Sequence, residues 1–179
     1  MKPIVQNGDP VLRKIAKPIL VKDITSPKIV KIIKEMHQAL ESQSDGVAIA
    51  APQIGYSVRI FVVSGKIFEK NFSRGASLPK GEKQTIPDMV CINPVITKLS
   101  KKKDWKQEGC LSVRPLWGEV ERSLNASIEA YDEQGKKFTR GAGGLLAHIF
   151  QHETDHLNGI LFIDHARHIK TSSSRELYE

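Results

Sequence analysis

Two segments of the chain show helical periodicity in their apolar positions. The first begins at Ser26-Pro27, which suit the N-cap and first helical position. Its apolar residues then recur at helical spacing, at Ile29, Ile32, Ile33, Met36 and Leu40. The second follows Gly143-Gly144 and reads LLAHIFQHETDHLNG, with a stop at Asn158-Gly159. We expect this second helix to be largely buried because it is rich in apolar residues, namely Leu145, Leu146, Ile149, Phe150 and Leu157.

Apolar and alternating runs between these helices predict β-strands. Val58 to Val63 is typical of a buried strand, and Met89 to Leu99 of a strand interrupted or edged by Pro94. Alternation between Glu119 and Tyr131 predicts another strand, after which DEQGKK supplies a hairpin turn before Phe138. The pattern therefore predicts an α+β domain with mixed or antiparallel sheets packed around a central helix, the one that carries QHETDH.

Three stretches carry no regular pattern. DGVAIAAPQIG (45–55) is small and bounded by glycines, which favours a tightly packed loop. Ser64 to Pro87 is rich in Gly, Lys, Ser and Pro and is predicted to be an exposed insertion. Lys98 to Lys106 contains five lysines and is interpreted as a solvated loop. Because no repeat or linker divides the chain, residues 1–179 are predicted to form a single domain.

Composition narrows the class of protein. The chain has 179 residues, 40% of them hydrophobic, which is enough to close its own core. Its apolar runs are far shorter than the roughly 20 residues of a membrane helix, and the N-terminus lacks a secretion signal. We therefore expect no membrane contact, reduced thiols at Cys91 and Cys110, and a cytoplasmic location of the bacterial type. An organellar protein whose presequence was removed is the alternative.

The net charge of +7 has two interpretations. The simpler is a basic solvated surface, and the other is transient proximity to a ribosome. Aromatic residues make up 6% of the chain and no RNA-binding signature is present, so we expect no specific nucleic-acid partner.

QHETDH (151–156) is the motif with the clearest chemistry. At i and i+4 of a helix, His152 and His156 lie about 6 Å apart on one face and can aim at one metal ion. Glu153 is turned roughly 100° away, where a carboxylate can act as a general base without being a ligand. His148 extends the series, but three positions along one helix diverge too far to share an ion, so His148 is interpreted as a core or supporting residue. Asp155 is either a partner that orients an imidazole or a surface acid.

A catalytic metal normally has three protein ligands and an open position. Spacing alone leaves two sources for the third ligand. His165 and His168 lie beyond the helix, where some metalloproteases keep a third histidine. Cys110, in the stretch QEGCLS, offers a thiolate, which suits soft and borderline ions.

Three blocks of the chain resemble peptide deformylase in order and separation: GVAIAAPQIG (46–55), EGCLS (108–112) and QHETDH (151–156). The opening GDPVLRKIAKPI is also similar to that family, so the resemblance extends from about residue 3 to residue 165. It implies a hydrolase of protein biosynthesis that removes the formyl group from N-formylmethionine of nascent polypeptides and releases formate. N-formylmethionyl nascent peptides are then the expected partners.

The resemblance also implies roles for individual residues. Cys110, His152 and His156 would bind one divalent metal ion, natively Fe²⁺ and exchangeable for Zn²⁺, Ni²⁺ or Co²⁺. A metal-bound water would attack the formyl carbon, with Glu153 as general base and acid.

Further expectations concern the substrate. Gln53 and the backbone N–H of Leu111 would donate hydrogen bonds to the developing oxyanion. The family holds its substrate as an added strand, for which the backbone of four residues would supply partners: Gly46, Val47, Ala48 and Ile49. Arg122 matches a recurring arginine and is expected to pair with an acid such as Glu108.

Two residues depart from the family pattern. Ala48 stands where glycine is usual, and an alanine forced to a positive φ would cost about 1 kcal/mol. Arg114 replaces a proline and is expected at the rim of the cleft. A diverged deformylase-like protein with altered substrate preference is therefore one alternative. The others are an H-E-x-x-H metallopeptidase that uses His165 or His168, and a non-catalytic basic protein that binds RNA.

Overall fold

Two sheets and two long helices make up the fold in the computed structural model, which describes residues 2–70, 72 and 86–171. The helices are α1 (Pro27–Glu41) and α2 (Gly144–Leu157). The strands are β1 (Ala48–Ala50), β2 (Ile60–Val63), β3 (Met89–Leu99), β4 (Lys103–Gly109), β5 (Leu116–Ser123), β6 (Asn125–Tyr131), β7 (Lys137–Gly143) and β8 (Arg167–Thr171).

Both sheets are antiparallel throughout. One has five strands in the order β1-β2-β3-β6-β7, and the other has three in the order β4-β5-β8. β1 is an edge strand that pairs only with β2 among the described strands, with Ala48 opposite Val63 and Ala50 opposite Phe61. The register of β3 against β6 shifts between Ile92 and Val95, where Pro94 interrupts the run as its sequence predicts.

Helix α2 packs against the five-stranded sheet and is mostly buried. Phe150 and Phe61 are fully buried and their rings lie 6.2 Å apart, which fixes the helix on β2. Burying each such side chain contributes about 1.5–3 kcal/mol. At the far end, the Leu157 carbonyl accepts a hydrogen bond from Ala16 N at 2.9 Å. The predicted α+β class is confirmed, with α2 as the central helix.

Helix α1 begins as its sequence predicts. Ser26 is the N-cap, its hydroxyl accepts from Ile29 N, and Pro27 is the first helical residue. The apolar stripe is buried, with Ile29, Ile32 and Met36 at most 5% exposed. One face of α1 therefore closes the core on the side of β1 and β2.

Two predicted loops contain regular structure instead. Within 45–55 the chain forms β1 and then a 3₁₀ helix, Ala51–Ile54, which ends at Gly55 with φ +84°. All three residues of β1 are buried, so the sequence lacks the alternation of apolar and polar residues that would predict a strand. The lysine-rich stretch 98–106 ends β3 and begins β4, whose pairing with β5 runs from Lys103–Ser123 to Gly109–Trp117. Cross-strand pairing overrides the polar composition here.

The predicted insertion, Ser64 to Pro87, is described only in part, since residues 71 and 73–85 lie outside the described residues. Its first part is a 3₁₀ helix, Gly65–Phe68, and Ser64 and Lys66 are buried rather than exposed. β8 was not predicted from the polar C-terminal sequence, and residues 172–179 lie outside the described residues. No helix in the described ranges is both long and apolar enough to cross a bilayer.

A pH-sensitive contact ties α1 to the start of β3. His37 Nδ1 lies 2.6 Å from Asp88 Oδ2, and the other oxygen of Asp88 accepts from Gly65 N at 2.9 Å. The hydrogen bond to Asp88 raises the pKa of His37 above its ordinary value of 6.5. Because the folded pKa is the higher one, this stabilisation is complete below about pH 6.5 and is lost as pH rises through the raised value.

We therefore expect His37→Gln to lower the melting temperature more at about pH 5.5 than at about pH 9. Thermal unfolding of both proteins at the two pH values measures this difference. An equal loss at both would contradict the ionic contribution of His37.

Candidate metal centre

Three potential metal ligands converge between β4 and α2. Cys110 directly follows β4, while His152 and His156 come from successive turns of α2. Their ligand atoms all lie within 4.8 Å of one another, and Cys110 Sγ is 3.1 Å from His156 Nε2. Cys110 and His156 are buried and His152 is half-buried. The structure thus brings together the thiol and the histidine pair that lie 42 residues apart in sequence, counted from Cys110 to His152.

The donor set fits a first-row divalent ion. Metal–sulfur and metal–nitrogen bonds of about 2.3 and 2.0–2.1 Å put the two donor atoms about 3.5 Å apart in a tetrahedral site. The 3.1 Å between Cys110 Sγ and His156 Nε2 is close to that separation. One thiolate and two imidazoles suit borderline ions, and three protein ligands leave the open position that a catalytic site needs. Burial holds the pKa of His156 well below its usual range, which favours the neutral ring that a ligand requires. Burial alone would also lower the pKa of His152, but hydrogen bonds with Cys110 and Glu108 hold it well above its usual range, so a metal that binds there displaces a proton.

Glu108, the penultimate residue of β4, fixes the orientation of His152. Its carboxylate accepts from His152 Nδ1 at 2.8 Å and from His148 Nε2, and Arg122 Nε donates to it at 2.7 Å. Burial alone would raise the pKa of Glu108, but the hydrogen bonds from these histidines and Arg122 hold it well below its usual range. With Nδ1 engaged, the Nε2 atom of His152 is left for the metal.

Arg122 links this carboxylate to a second acid. The predicted pair with Glu108 is formed, and Arg122 Nη1 also donates to Asp155 Oδ2 at 2.6 Å. Asp155 therefore holds the arginine rather than an imidazole, and is not simply a surface acid. His148 is buried and supports Glu108, in agreement with its interpretation as a supporting residue.

Glu153 directly follows His152 on α2 and is 4% exposed. Its Oε2 atom is buried and has no hydrogen-bond partner within the described residues. Burial raises the pKa of Glu153 to about 7. A carboxyl group with a pKa near neutrality can both accept and return a proton, which is the property required of a general base and acid.

Gln53 connects the 3₁₀ helix after β1 to the cysteine loop, residues 110–115 between β4 and β5. Its side-chain oxygen accepts from Ala50 N at 2.7 Å, and its Nε2 atom donates to Ser112 Oγ at 3.2 Å and lies 3.4 Å from Cys110 Sγ. The amide donor therefore points at the cluster. The N–H of Leu111 forms no hydrogen bond within the described part of the chain, which leaves it available to a ligand.

The N-terminal segment supports the cysteine loop, a role that sequence reasoning missed. Asn7 N donates to the Ser112 carbonyl at 2.7 Å, and Gln6 Nε2 donates to the Leu111 carbonyl at 3.0 Å. The one indication of this role in the sequence is the resemblance of the opening block to the deformylase N-terminus.

One edge of β1 is not paired with another described strand. The Val47 carbonyl accepts from Ser64 N at 2.9 Å, so Val47 and Ile49 turn their peptide groups toward β2. The intervening Ala48 then turns its N–H and C=O toward the free edge. The described non-glycine residues with positive φ are Asn93 and His168, so Ala48 has an ordinary strand conformation and the strain considered for its methyl group is absent.

The two alternative histidine ligands lie elsewhere. His168 is exposed on β8, with Nδ1 3.0 Å from Glu119 Oε2. His165 is exposed after the 3₁₀ helix Phe162–Asp164. In the described part of the chain, the one potential metal-binding group of three or more His, Cys or acidic residues contains Cys110 and neither of these histidines.

Comparison with known proteins gives a consistent result. A family model described as Polypeptide deformylase matches residues 1–172. The chain is 41% identical over 167 residues to the peptide deformylase of Carboxydothermus hydrogenoformans, covering 93% of each protein. It is 39% identical over 161 residues to peptide deformylase 1A, chloroplastic/mitochondrial, of Arabidopsis thaliana, covering 90% of this chain but 60% of that longer protein.

Solved structures agree. The peptide deformylase of Thermotoga maritima superimposes with a TM-score of 0.76 at 34% identity, covering 93% of this chain and 98% of that one. The Met-Ala-Ser-bound class I type b peptide deformylase of Acinetobacter baumannii also gives 0.76, at 32% identity, with 92% and 98% covered.

Replacing Glu108 tests its control of His152. We expect Glu108→Gln to weaken metal binding about 10- to 100-fold, because the neutral amide no longer holds the imidazole through a charged hydrogen bond. Competition with a chelator for Zn²⁺ or Co²⁺ measures the affinity.

Asp155→Asn is the matched control, since it also removes a carboxylate from Arg122 but leaves the His152–Glu108 hydrogen bond in place. Equal losses of affinity in the two variants would show that general weakening of the ion network, rather than the orientation of His152, is responsible.

Proposed function

Since the chain belongs to the polypeptide deformylase family, we propose that Cys110, His152 and His156 hold its catalytic metal and that Glu153 transfers the proton. Enzymes of this family remove the formyl group from N-formylmethionine of nascent polypeptides and release formate, and the chain is such a hydrolase. One observation carries the assignment of the site: Cys110, His152 and His156 present their ligand atoms within 4.8 Å of one another.

The family is metal-dependent, and we propose one divalent ion per chain, Fe²⁺ in the cell, with Zn²⁺, Ni²⁺ or Co²⁺ as possible replacements. When bound, the ion supplies a Lewis acid that polarises the formyl group and lowers the pKa of a coordinated water. The chain contributes the open coordination position and a buried surrounding from which bulk water is excluded.

Glu153 moves the proton in this proposal. Its carboxylate takes the proton of the attacking water as the new C–O bond forms at the formyl carbon. The C–N bond then breaks, and Glu153 gives the proton to the departing methionine amine, leaving formate. Support comes from the burial of Glu153 and from its pKa of about 7.

Gln53 and Leu111 are proposed to stabilise the charge that develops on the formyl oxygen. The amide of Gln53 donates without ionising, and its position is already fixed by Ala50 N and Ser112 Oγ. Donors held in place in this way contribute about 3–4 kcal/mol each in comparable sites.

The substrate is proposed to lie along the free edge of β1 as an added strand. Gly46, Val47, Ala48 and Ile49 would supply this edge, with the peptide groups of Ala48 facing the substrate. We assign these functions to one catalytic domain, residues 1–179. N-formylmethionyl nascent peptides are its partners, the +7 charge supports transient proximity to the ribosome, and we propose a cytoplasmic or organellar location.

Removing the proposed thiolate ligand separates a deformylase from a peptidase that uses a downstream histidine. We expect Cys110→Ala to lose its bound metal and formate release, because two imidazoles are too few for a stable site. His168→Ala and His165→Ala are the controls and should keep both. Metal analysis of anaerobically purified proteins measures the outcome, and retention of the metal in Cys110→Ala with loss in a control would contradict the assignment.

Removing the proposed base tests the reaction itself. Wild-type protein loaded with Fe²⁺ should release formate from formyl-Met-Ala. Glu153→Ala should lower kcat by at least about 10²-fold while keeping the metal, since general acid–base catalysis contributes about 10²–10⁴-fold. A variant that loses metal together with activity would show that Glu153 has a structural role, and wild-type protein without activity would overturn the proposed function.

A further inference from the structure

An ion pair joins the two chain segments that flank the proposed substrate path. Arg114 Nη2 donates to Asp45 Oδ1 at 2.6 Å. Asp45 immediately precedes the edge segment that begins at Gly46, and Arg114 lies two residues after Ser112 in the cysteine loop. The side chains of Arg114 and Asp45 are 46% and 20% exposed, so the pair lies at the surface end of the path.

The acid in this pair is held from a second side. Lys66 is 8% exposed, its Nζ donates to the Ser44 carbonyl at 3.0 Å, and it interacts electrostatically with Asp45. Arg114 and Lys66 therefore both interact with Asp45, and Lys66 also interacts with Asp88. Arg114 makes a single side-chain hydrogen bond within the described ranges, so most of its five N–H donors remain available.

The position of the pair along the groove follows from strand geometry. The reacting end of the substrate lies at Cys110 and Gln53, and Gln53 is bound to Ala50 N. A chain that extends from there along β1 places methionine beside Ala48. Outward-facing positions recur every second residue along β1 and along the segment before it, in which Val47 pairs with Ser64. The third substrate residue therefore comes level with Gly46, next to Asp45 and Arg114.

We propose that Arg114 is a specificity-determining residue that favours an acidic over a basic side chain at the third residue of the formylated peptide. This inference rests on the proposed function and on the extended binding mode. An acidic side chain gains a charge-assisted hydrogen bond from the unused donors of Arg114, whereas a basic side chain is repelled by the positive charge of the same guanidinium. The site is exposed, so the effect is modest, about two- to fivefold in kcat/KM.

The test compares formyl-Met-Ala-Glu-Ala and formyl-Met-Ala-Lys-Ala, both with amidated C-termini, and reports the ratio of their kcat/KM values. The ratio does not depend on the fraction of active protein, so a partly unfolded variant does not distort it. The expected ratio is about three in the wild type, close to one in Arg114→Gln and below one in Arg114→Glu. High salt should bring the wild-type ratio toward one.

Arg140→Gln is the matched control. It removes the same charge from an exposed arginine of β7, the strand at the opposite edge of the sheet from β1. The ratio should stay at the wild-type value in this variant. A wild-type ratio of one, an unchanged ratio in both Arg114 variants, or an equal change in Arg140→Gln would overturn the inference while leaving deformylation intact. Absence of formate release from both peptides would instead overturn the proposed function.

Discussion

The buried carboxylate of Glu108 is the constraint on which the centre depends. It lies at the end of β4, is 2% exposed, and receives hydrogen bonds from His148, His152 and Arg122. A buried charge is tolerated only when it is paired and hydrogen-bonded, and removing one partner from such a network costs about 3–5 kcal/mol. The network therefore contributes precise placement more than net stability. It locks β4 against α2, and Cys110 lies two residues after the locked Glu108.

The remaining groups of the site take their positions from the same two elements. Helix α2 is held against the five-stranded sheet by Phe150, and its second half carries His152, Glu153 and His156. Ligands and base on a packed helix are held more rigidly than groups on a loop, which a catalytic geometry requires. Glu153 Oε2 has no hydrogen-bond partner in the described part of the chain, and burial of the carboxyl group raises the pKa of Glu153.

Gln53 connects the proposed metal centre to the proposed substrate edge. One end of its amide holds Ala50 N at the end of β1, and the other reaches Ser112 and Cys110. The group proposed to stabilise the oxyanion thus also sets the distance between the edge strand and the thiol. The Arg114–Asp45 pair joins the same two segments farther along, so the proposed groove is bounded by an amide contact at its reactive end and an ion pair at its outer end.

Helical periodicity and local motifs were sufficient to predict several features. These features depend on interactions between residues close in sequence, or on which face is buried. They are the apolar stripe of α1 with its Ser26 cap, the extent of α2, the β-hairpin before Phe138 and the α+β class. The pairing of His152 with His156 likewise follows from one helical turn. Resemblance to a family, not spacing, selected Cys110, because no local rule relates residues 42 positions apart.

Only the tertiary structure decided the rest. β1 and β4 are strands because they pair with β2 and β5, respectively. Neither shows period-two alternation in its sequence, since β1 is buried throughout and β4 is rich in lysine. Asp155 adjoins His156 in sequence and is a candidate for orienting an imidazole. Only contacts between β4, β5 and α2 determine that Glu108 holds His152 while Asp155 holds Arg122. Long-range pairing and the burial of charge are properties of the folded chain as a whole, and they decide which side chain orients which.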